Sequence, residues 1–323
     1  MLGAHHLKPI ITVVGSIHMD FYIHLPKLPK EDETVVGYEF KMRPGGKGAN
    51  QAVAAARLGA KVFFIGRVGS DFLGPMLLEN LRSNNVDVSY LTVDQSTHTG
   101  VAFILLNSRG ENMIAVAPGT DSRVSPDDVD KALPAVKSSQ ALLLQLEIPM
   151  ETVVYAARRA WEAGSMVVLN PAPARPLPDE IYRYIYAMTP NRVELAMLTQ
   201  SNFTQNMDLI EVARMARALV DRGVRCVVVT LGKGGALAVT QDDALHIPAF
   251  EVSPVVDTTG AGDVFTAALT VALAEGKSLA DACVFANAAA AIKITRFGAQ
   301  ATPTRMEVEE LIASRRADVK KLK

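Results

Sequence analysis

The sequence predicts an α/β protein: a doubly wound, mostly parallel sheet flanked by helices, with a small β-sheet lid set apart from it. Three observations carry this expectation. Short apolar runs alternate with amphipathic helical patterns. The runs lack an in–out alternation, so both of their faces are to be buried, as in a parallel sheet covered on two sides. Two regions, 17–44 and 97–117, break the rhythm with segments that do alternate.

Taken in order, IITVV (10–14) is the first strand, followed by FYIHL (21–25) and TVVGYEF (34–40) of the first lid excursion. VFFI (62–65) returns to the main sheet, and VAFILL (101–106) and NMIAVA (112–117), joined by the turn signal Arg109-Gly110-Glu111, leave it again. The four lid segments predict a small, mostly antiparallel sheet. SPDDVDKALPAVK (125–137) reads as a helix with Ser125 as cap and Pro126 at its first position. ALLLQ (141–145), MVVL (166–169) and CVVVT (226–230) are further strands, and MDLIEVARMARALVDRG (207–223) is a helix stopped by Gly223. From Val264 to Ala274 the residues are small or apolar nearly throughout, which suits a buried helix whose first turn is the GAGD segment. No internal repeat or low-complexity linker divides the chain, and Pro171 to Pro176 is short enough to be a rigid loop, so one domain is expected over 8–317.

Composition narrows the function classes. A chain of 323 residues, 49% hydrophobic and 21% charged, is that of a soluble globular protein. A net charge of −1 with both signs spread along the chain gives no basic stripe for nucleic acid and no polybasic segment for a membrane, so small molecules are the expected partners. The opening MLGAHHLKPIITVVG has too short an apolar run for a signal peptide, and no stretch of about 18 apolar residues occurs elsewhere, so the cytoplasm is the default location. Cys226 and Cys283 fall in apolar runs and read as buried thiols, and His5 and His6 read as a polar tail.

The glycine-rich loops fit neither common nucleotide fingerprint. A phosphate-binding Walker loop needs Ser or Thr after its lysine, where this chain has Gly48 in GGKGAN and Gly234 in TLGKGG. The dinucleotide spacing fails at Phe265. VDTTGAGDVF (256–265) is more informative. A helix start leaves backbone N–H groups unpaired and carries partial positive charge, and Gly260 and Gly262 let an anion approach the backbone itself. Asp263 in that first turn would repel the same anion. Complementing the helix dipole would explain a lone acid there, but not the two glycines.

GGKGANQAVAAARLGA (45–60), GRVGSDFLG (66–74), LLLQLEIP (142–149), LNPAPARPLP (169–178), TPNRVE (189–194), TLGKGGA (230–236) and DTTGAGDVFTAAL (257–269) occur in one order along the chain. As a set they resemble the ribokinase-like (PfkB) family of carbohydrate kinases over about residues 10–305. The combination of GGKGAN with DTTGAGD is specific, whereas one loop alone is not.

The resemblance implies that Asp263 is the base that takes the proton from a sugar hydroxyl, while the backbone amides of Thr259, Gly260, Ala261 and Gly262 hold the γ-phosphoryl group. The acid then faces the nucleophile and the amides face the phosphate. Asp20, Gly46, Lys47, Asn50 and Glu147 match the family's sugar contacts, with His18 beside Asp20 where many members have Asn. Singly, Asn50 reads as a helix residue, Glu147 as a strand-end charge and Lys47 as solvated. Arg43 would favour a phosphorylated substrate if it faced the sugar, and is otherwise a solvated lid charge.

On the nucleotide side, Asn191 and Glu194 match an N-x-x-E element that organises Mg²⁺ and phosphates through water, although a helix cap with a first-turn acid fits the same residues equally well. Thr230, Gly232, Gly235 and Asn287 match the region around ATP. Asp257, Thr259, Lys293, Arg296, Gly298 and Thr302 match a monovalent-cation site for K⁺ built mostly of backbone carbonyls; a capping role is the alternative for Asp257. The expected activity is ATP-dependent phosphorylation of a pentose, D-ribose at O5. The alternatives are a nucleoside or phosphosugar kinase of the same fold and a regulator that has lost turnover. A homodimer through the lid is expected, because a small sheet cannot bury its own apolar face.

Overall fold

A computed structural model describes residues 8–202, 204, 207–315 and 318–322. His5, His6 and the 316–317 end of the expected domain lie outside the described residues. In chain order the strands are β1 (Ile10–Val14), β2 (His18–Leu25), β3 (Glu39–Gly45), β4 (Lys61–Gly69), β5 (Val86–Asp87), β6 (Leu91–Asp94), β7 (Gly100–Asn107), β8 (Asn112–Ala117), β9 (Ala141–Leu144), β10 (Met166–Leu169), β11 (Ala187–Met188), β12 (Cys226–Thr230), β13 (Ala236–Val239), β14 (Ala244–Ile247) and β15 (Lys320–Lys321). The helices that matter to the site are α1 (Lys47–Arg57), α2 (Leu73–Ser83), α3 (Pro126–Lys131), α4 (Leu133–Ser138), α5 (Met150–Glu162), α6 (Arg192–Leu198), α7 (Leu209–Asp221), α8 (Ala261–Ala274), α9 (Leu279–Lys293) and α10 (Arg305–Ser314).

The large sheet runs β15-β14-β13-β12-β11-β10-β9-β1-β4-β5, with β6 paired to the far part of β4. Its centre, from β12 to β5, is parallel, and β13 to β15 add an antiparallel edge. Strands β1, β9 and β10 are buried on both faces, as their unbroken apolar runs require. Two apolar layers sandwich the sheet. Helices α1, α8 and α9 cover one face with Val53, Val264, Leu269 and Phe285, while α5 and α7 cover the other with Val153, Ala157, Met215 and Leu219. Helix α8 is buried from Asp263 to Leu273, and its alanines let α1 and α9 pack close on either side. Cys226 and Cys283 are buried free thiols, as expected.

The lid is a separate four-stranded sheet, β3-β2-β7-β8. Its outer pairs are antiparallel, but the central pair β2–β7 is parallel, with His18 opposite Gly100. The expected TVVGYEF strand begins only at Glu39, because residues 34–38 lie in a loop with exposed Val36 and Tyr38. The helix expected over 125–137 is two, α3 and α4, since Pro134 in the first turn of α4 withholds the N–H that would continue one helix. The strands β5, β6, β11 and β13 to β15 were not expected from the sequence; β5, β11 and β15 are two residues long and show no pattern. No described helix is long and apolar enough to cross a membrane.

Candidate active site

Parallel sheets place their ligand-binding residues just beyond the carboxyl ends of their strands. Ser16 follows β1, Gln145 and Glu147 follow β9, Asn170 follows β10, and Asn191 lies beyond β11. The amino ends of α1 and α8 meet at this edge. Gly46 (φ 90°) turns the chain into α1, and a Cβ at Gly48 would come within 2.7 Å of the Ser16 nitrogen, so only glycine allows the helix to start against the β1 loop. The Ser16 hydroxyl donates to Glu147 Oε2 (2.5 Å), which also accepts from the Lys47 amide (3.0 Å). Glu147 is therefore fixed by the start of α1 and is not a free strand-end charge.

Asp263 is buried at the start of α8. Asn50 Nδ2 donates to its Oδ2 (3.0 Å) and Gln51 Nε2 to its Oδ1 (3.1 Å). Gln51 is held in turn by Gln145, whose amide donates to Gln51 Oε1 (2.7 Å). Burial raises the Asp263 pKa, and Lys47, Asn50 and Gln51 oppose that rise without cancelling it. The Lys47 ammonium is raised above the usual lysine range by Asp263 first and by Glu147, Glu194 and Asp20 after burial is set against them. The carbonyl oxygen of Asn50 is buried without a partner, an acceptor beside Asp263 that a hydroxyl group would satisfy.

The floor of the lid adds a second cluster. His18 Nδ1 lies 3.0 Å from Asp121 Oδ2 and its Nε2 lies 3.5 Å from Asp20 Oδ1. Burial alone would lower the imidazole pKa, but the Asp121 hydrogen bond and the charges of Asp121, Glu147 and Asp20 raise it to about 9. Burial raises Asp20 and Asp121 to about 6 against the pull of His18. His18 thus lies buried between two carboxyl groups, which favour its protonated form. Gly45 leaves room for Asp20, since a Cβ there would sit 2.5 Å from its carboxylate. Arg43, opposite Asp20 in the strand register, is exposed and takes the solvated lid reading.

Next to Asp263 opens a cavity of about 1180 Å³, lined by Thr230, Gly232, Gly235, Phe250, Gly262 and Asn287 among others. A Cβ on Gly262 or Gly232 would meet nothing within 4 Å, so these glycines present bare backbone to the cavity. Asn287 also has a structural task, donating to the carbonyls of Ile247 (3.0 Å) and Pro248 (3.1 Å). Asn191 and Glu194 form the capping box of α6: each main-chain N–H donates to the other's side chain at 2.8 Å. The cap exists, and it leaves Glu194 within the field of Lys47 and Asp263, with burial raising its pKa.

The cation site needs a correction. In a site built mostly of backbone carbonyls Lys293 would offer its own, but that oxygen accepts from the Arg296 amide (3.0 Å), and the side chain enters the cluster instead. Lys293 is fully buried, and its Nζ donates to the carbonyls of Asp257 (2.8 Å) and Arg296 (3.3 Å), 3.9 Å from Asp257 Oδ2. The Gly298 carbonyl accepts from Ala301 (3.1 Å), and that of Thr302 accepts from Arg57 Nε (2.9 Å). A reading that counts main-chain oxygens alone misses a lysine long enough to reach them.

Ser16, Gln51, Asp121, Gln145 and Asn170 were not singled out in the sequence. Gln51 directly follows the GGKGAN motif, which was the available signal; Asp121 pairs with His18 across 103 residues of chain, and nothing local marks it.

The sequence matches the model of the pfkB family of carbohydrate kinases over residues 8–305. It is 42% identical over 304 residues to a ribokinase of Bacillus subtilis, covering 94% of this chain and 99% of that one. It is 41% identical over 256 residues to a deoxyribokinase of Salmonella typhi, covering 79% and 82%. The structure of Arabidopsis thaliana ribokinase complexed with ribose and ATP superposes with a TM-score of 0.86 at 34% identity, covering 95% of this chain and 99% of that chain.

Proposed function

The chain belongs to the pfkB family of carbohydrate kinases, and from that premise we propose that it transfers the γ-phosphoryl group of ATP to O5 of D-ribose, giving ribose 5-phosphate and ADP. The observation that carries this reading is the buried Asp263 carboxylate, aimed by Asn50 and Gln51 and standing beside a helix start whose Gly262 opens onto a nucleotide-sized cavity. Asp263 takes the proton of the O5 hydroxyl as that oxygen attacks the γ-phosphorus and the bond to the β,γ-bridging oxygen breaks. The amides of Gly260 and Gly262 receive the charge on the transferring group, a correction to the expected set, since those of Thr259 and Ala261 already donate to Asp257 Oδ1 (2.9 Å) and the Thr258 carbonyl (3.1 Å).

Asp20, Asn50, Glu147 and Lys47 hold the other sugar hydroxyls, the unpartnered Asn50 oxygen among them. Thr230, Gly232, Gly235 and Asn287 line the nucleotide's cavity. Glu194, acting through water, is the carboxylate that would hold Mg²⁺ brought with ATP, and the ion would supply neutralisation of phosphate charge. The chain's own contribution is to position the sugar and its base.

A turnover assay with ATP over D-ribose, 2-deoxy-D-ribose, a nucleoside and a hexose 6-phosphate tests the substrate. A site built of buried hydroxyl partners rejects a sugar that lacks one, so kcat/KM for D-ribose is expected to exceed that for 2-deoxyribose by at least about tenfold. Preference for the deoxy sugar, or no turnover with any of the four, would overturn the reading.

The outer face of the lid supports the dimer. Phe40, Phe103 and Met113 are exposed there, on the face opposite Asp20, with Phe21 stacked on Phe40 and Phe103 at 6.0 and 5.1 Å between ring centroids. Light scattering at micromolar protein is expected to give a dimer mass, and Met113→Lys, on that outer face, is expected to shift it to the monomer. A monomer mass for the unaltered protein would count against the lid as an interface.

A further inference from the structure

Three features make the end of α9 an unusual place for a lysine. The ammonium of Lys293 is fully buried, yet it meets only oxygens within hydrogen-bond distance: the carbonyls of Asp257 and Arg296. Both residues belong to the set that resembles a monovalent-cation site. The Asp257 carboxylate, 3.9 Å away, supplies the negative charge that a buried cation requires. The helix end itself adds partial negative charge from its unpaired carbonyls.

The same carboxylate reaches the anion hole. Asp257 Oδ1 accepts from the Thr259 amide (2.9 Å) and Oδ2 from the Gly298 amide (2.8 Å). Burial would raise the Asp257 pKa, but these two amides and Lys293 outweigh it and hold it below the usual range. Any group that fixes Asp257 therefore fixes the peptide leading into Gly260 and the first turn of α8. Gly260 leaves no slack here, because at φ 75° a Cβ on it would lie 2.5 Å from the Ala299 carbonyl.

An ammonium and a potassium ion carry the same charge and both satisfy carbonyl oxygens. They differ in attachment. A free ion occupies its site according to its concentration, whereas a side chain tethered to the last turn of a helix occupies it always. The carbonyls of Asp257, Lys293, Arg296, Gly298 and Thr302 are already met by protein donors; the Thr302 hydroxyl is buried without a partner, and a lone hydroxyl beside carbonyls so engaged does not fit a further monovalent ion.

We infer that Lys293 is a built-in monovalent cation: its ammonium holds the Asp257–Thr259 segment so that the following amides point at the phosphoryl group, and the enzyme works without potassium. Lys293 is on this view a positioning residue. The inference rests on the reading of those amides as the phosphoryl-binding site.

At constant magnesium and ionic strength, turnover of the unaltered enzyme in potassium, sodium and tetramethylammonium chloride is expected to agree within about twofold. Lys293→Ala opens the space and frees the carbonyls. In tetramethylammonium it is expected to lose at least about tenfold in kcat with little change in the KM for sugar, as misdirected amides would require. Potassium or ammonium ions should restore its rate and raise its melting temperature. Lys293→Met, which keeps the bulk and removes the charge, should lose rate without rescue by any ion.

Severalfold activation of the unaltered enzyme by potassium would overturn the inference, as would a folded Lys293→Ala variant with full rate in tetramethylammonium. Should neither variant fold, the salt series on the unaltered enzyme decides alone. The melting temperatures are read without substrate, so a protein that phosphorylates no sugar on the panel would fail the kinase reading, while potassium-specific stabilisation of Lys293→Ala would still establish the cation's place.

Discussion

Asp263→Asn is expected to lower kcat by roughly 10²- to 10⁴-fold while the affinities for sugar and ATP stay within about tenfold. The substitution keeps shape and volume and removes only the ability to accept a proton. Its new NH₂ group would face the amide NH₂ of Asn50 or Gln51, which donate to the two carboxylate oxygens. Asn50 has a remedy, because its own carbonyl oxygen is buried without a partner and a flip of the amide turns that oxygen toward the introduced donor. The variant should therefore fold with little loss of stability. Single-turnover kinetics together with calorimetric titration of sugar separate the two effects. A rate within about threefold of the unaltered enzyme would remove Asp263 from the role of base.

Lys47→Met is expected to cost about 10²-fold or more in kcat/KM and to move the acidic limb of its pH profile to higher pH. The ammonium lies in the field of Asp263, Glu147, Glu194 and Asp20, so it joins the sugar side of the site to the phosphate side. Burial already raises Asp263, and Lys47 is the strongest influence drawing it back toward ionisation. With the positive charge gone, the carboxylate holds its proton to a higher pH, and a base that must be ionised to act becomes available later in an upward titration. Methionine keeps most of the apolar stem, so packing at the start of α1 is retained. If kcat/KM falls but the acidic limb stays in place, Lys47 binds substrate without tuning the base.

The fold was legible in the sequence where burial is strongest. Strands β1, β9, β10 and β12 have unbroken apolar runs because both faces are covered, and α8 is apolar all round because α1, α9 and the sheet enclose it. Strands β11 and β15, of two residues each, carry no period to read. In the site, the GGKGAN and GAGD loops announced themselves through glycines that the backbone needs for close approach. Asp121 did not, because its partner His18 is remote in sequence and only the folded chain brings them together. Lys293 was read by position alone, and its meaning lies in where four methylenes can carry a charge.

The parallel seam of the lid bears on how the molecule assembles. Strands β2 and β3 form one local hairpin and β7 and β8 another, but β2 and β7 run the same way, so no short turn can join them. Each hairpin is carried out of the large sheet by its own strand, β2 after β1 and β7 after β4 and β6. The two hairpins leave from β1 and β4, which lie side by side, so with the body in place the seam costs little further loop-closure entropy. The seam between β2 and β7 is where the lid can part into two intact hairpins while the parallel sheet stays whole, so sub-global opening would uncover His18 and Asp20 before it disturbs Asp263.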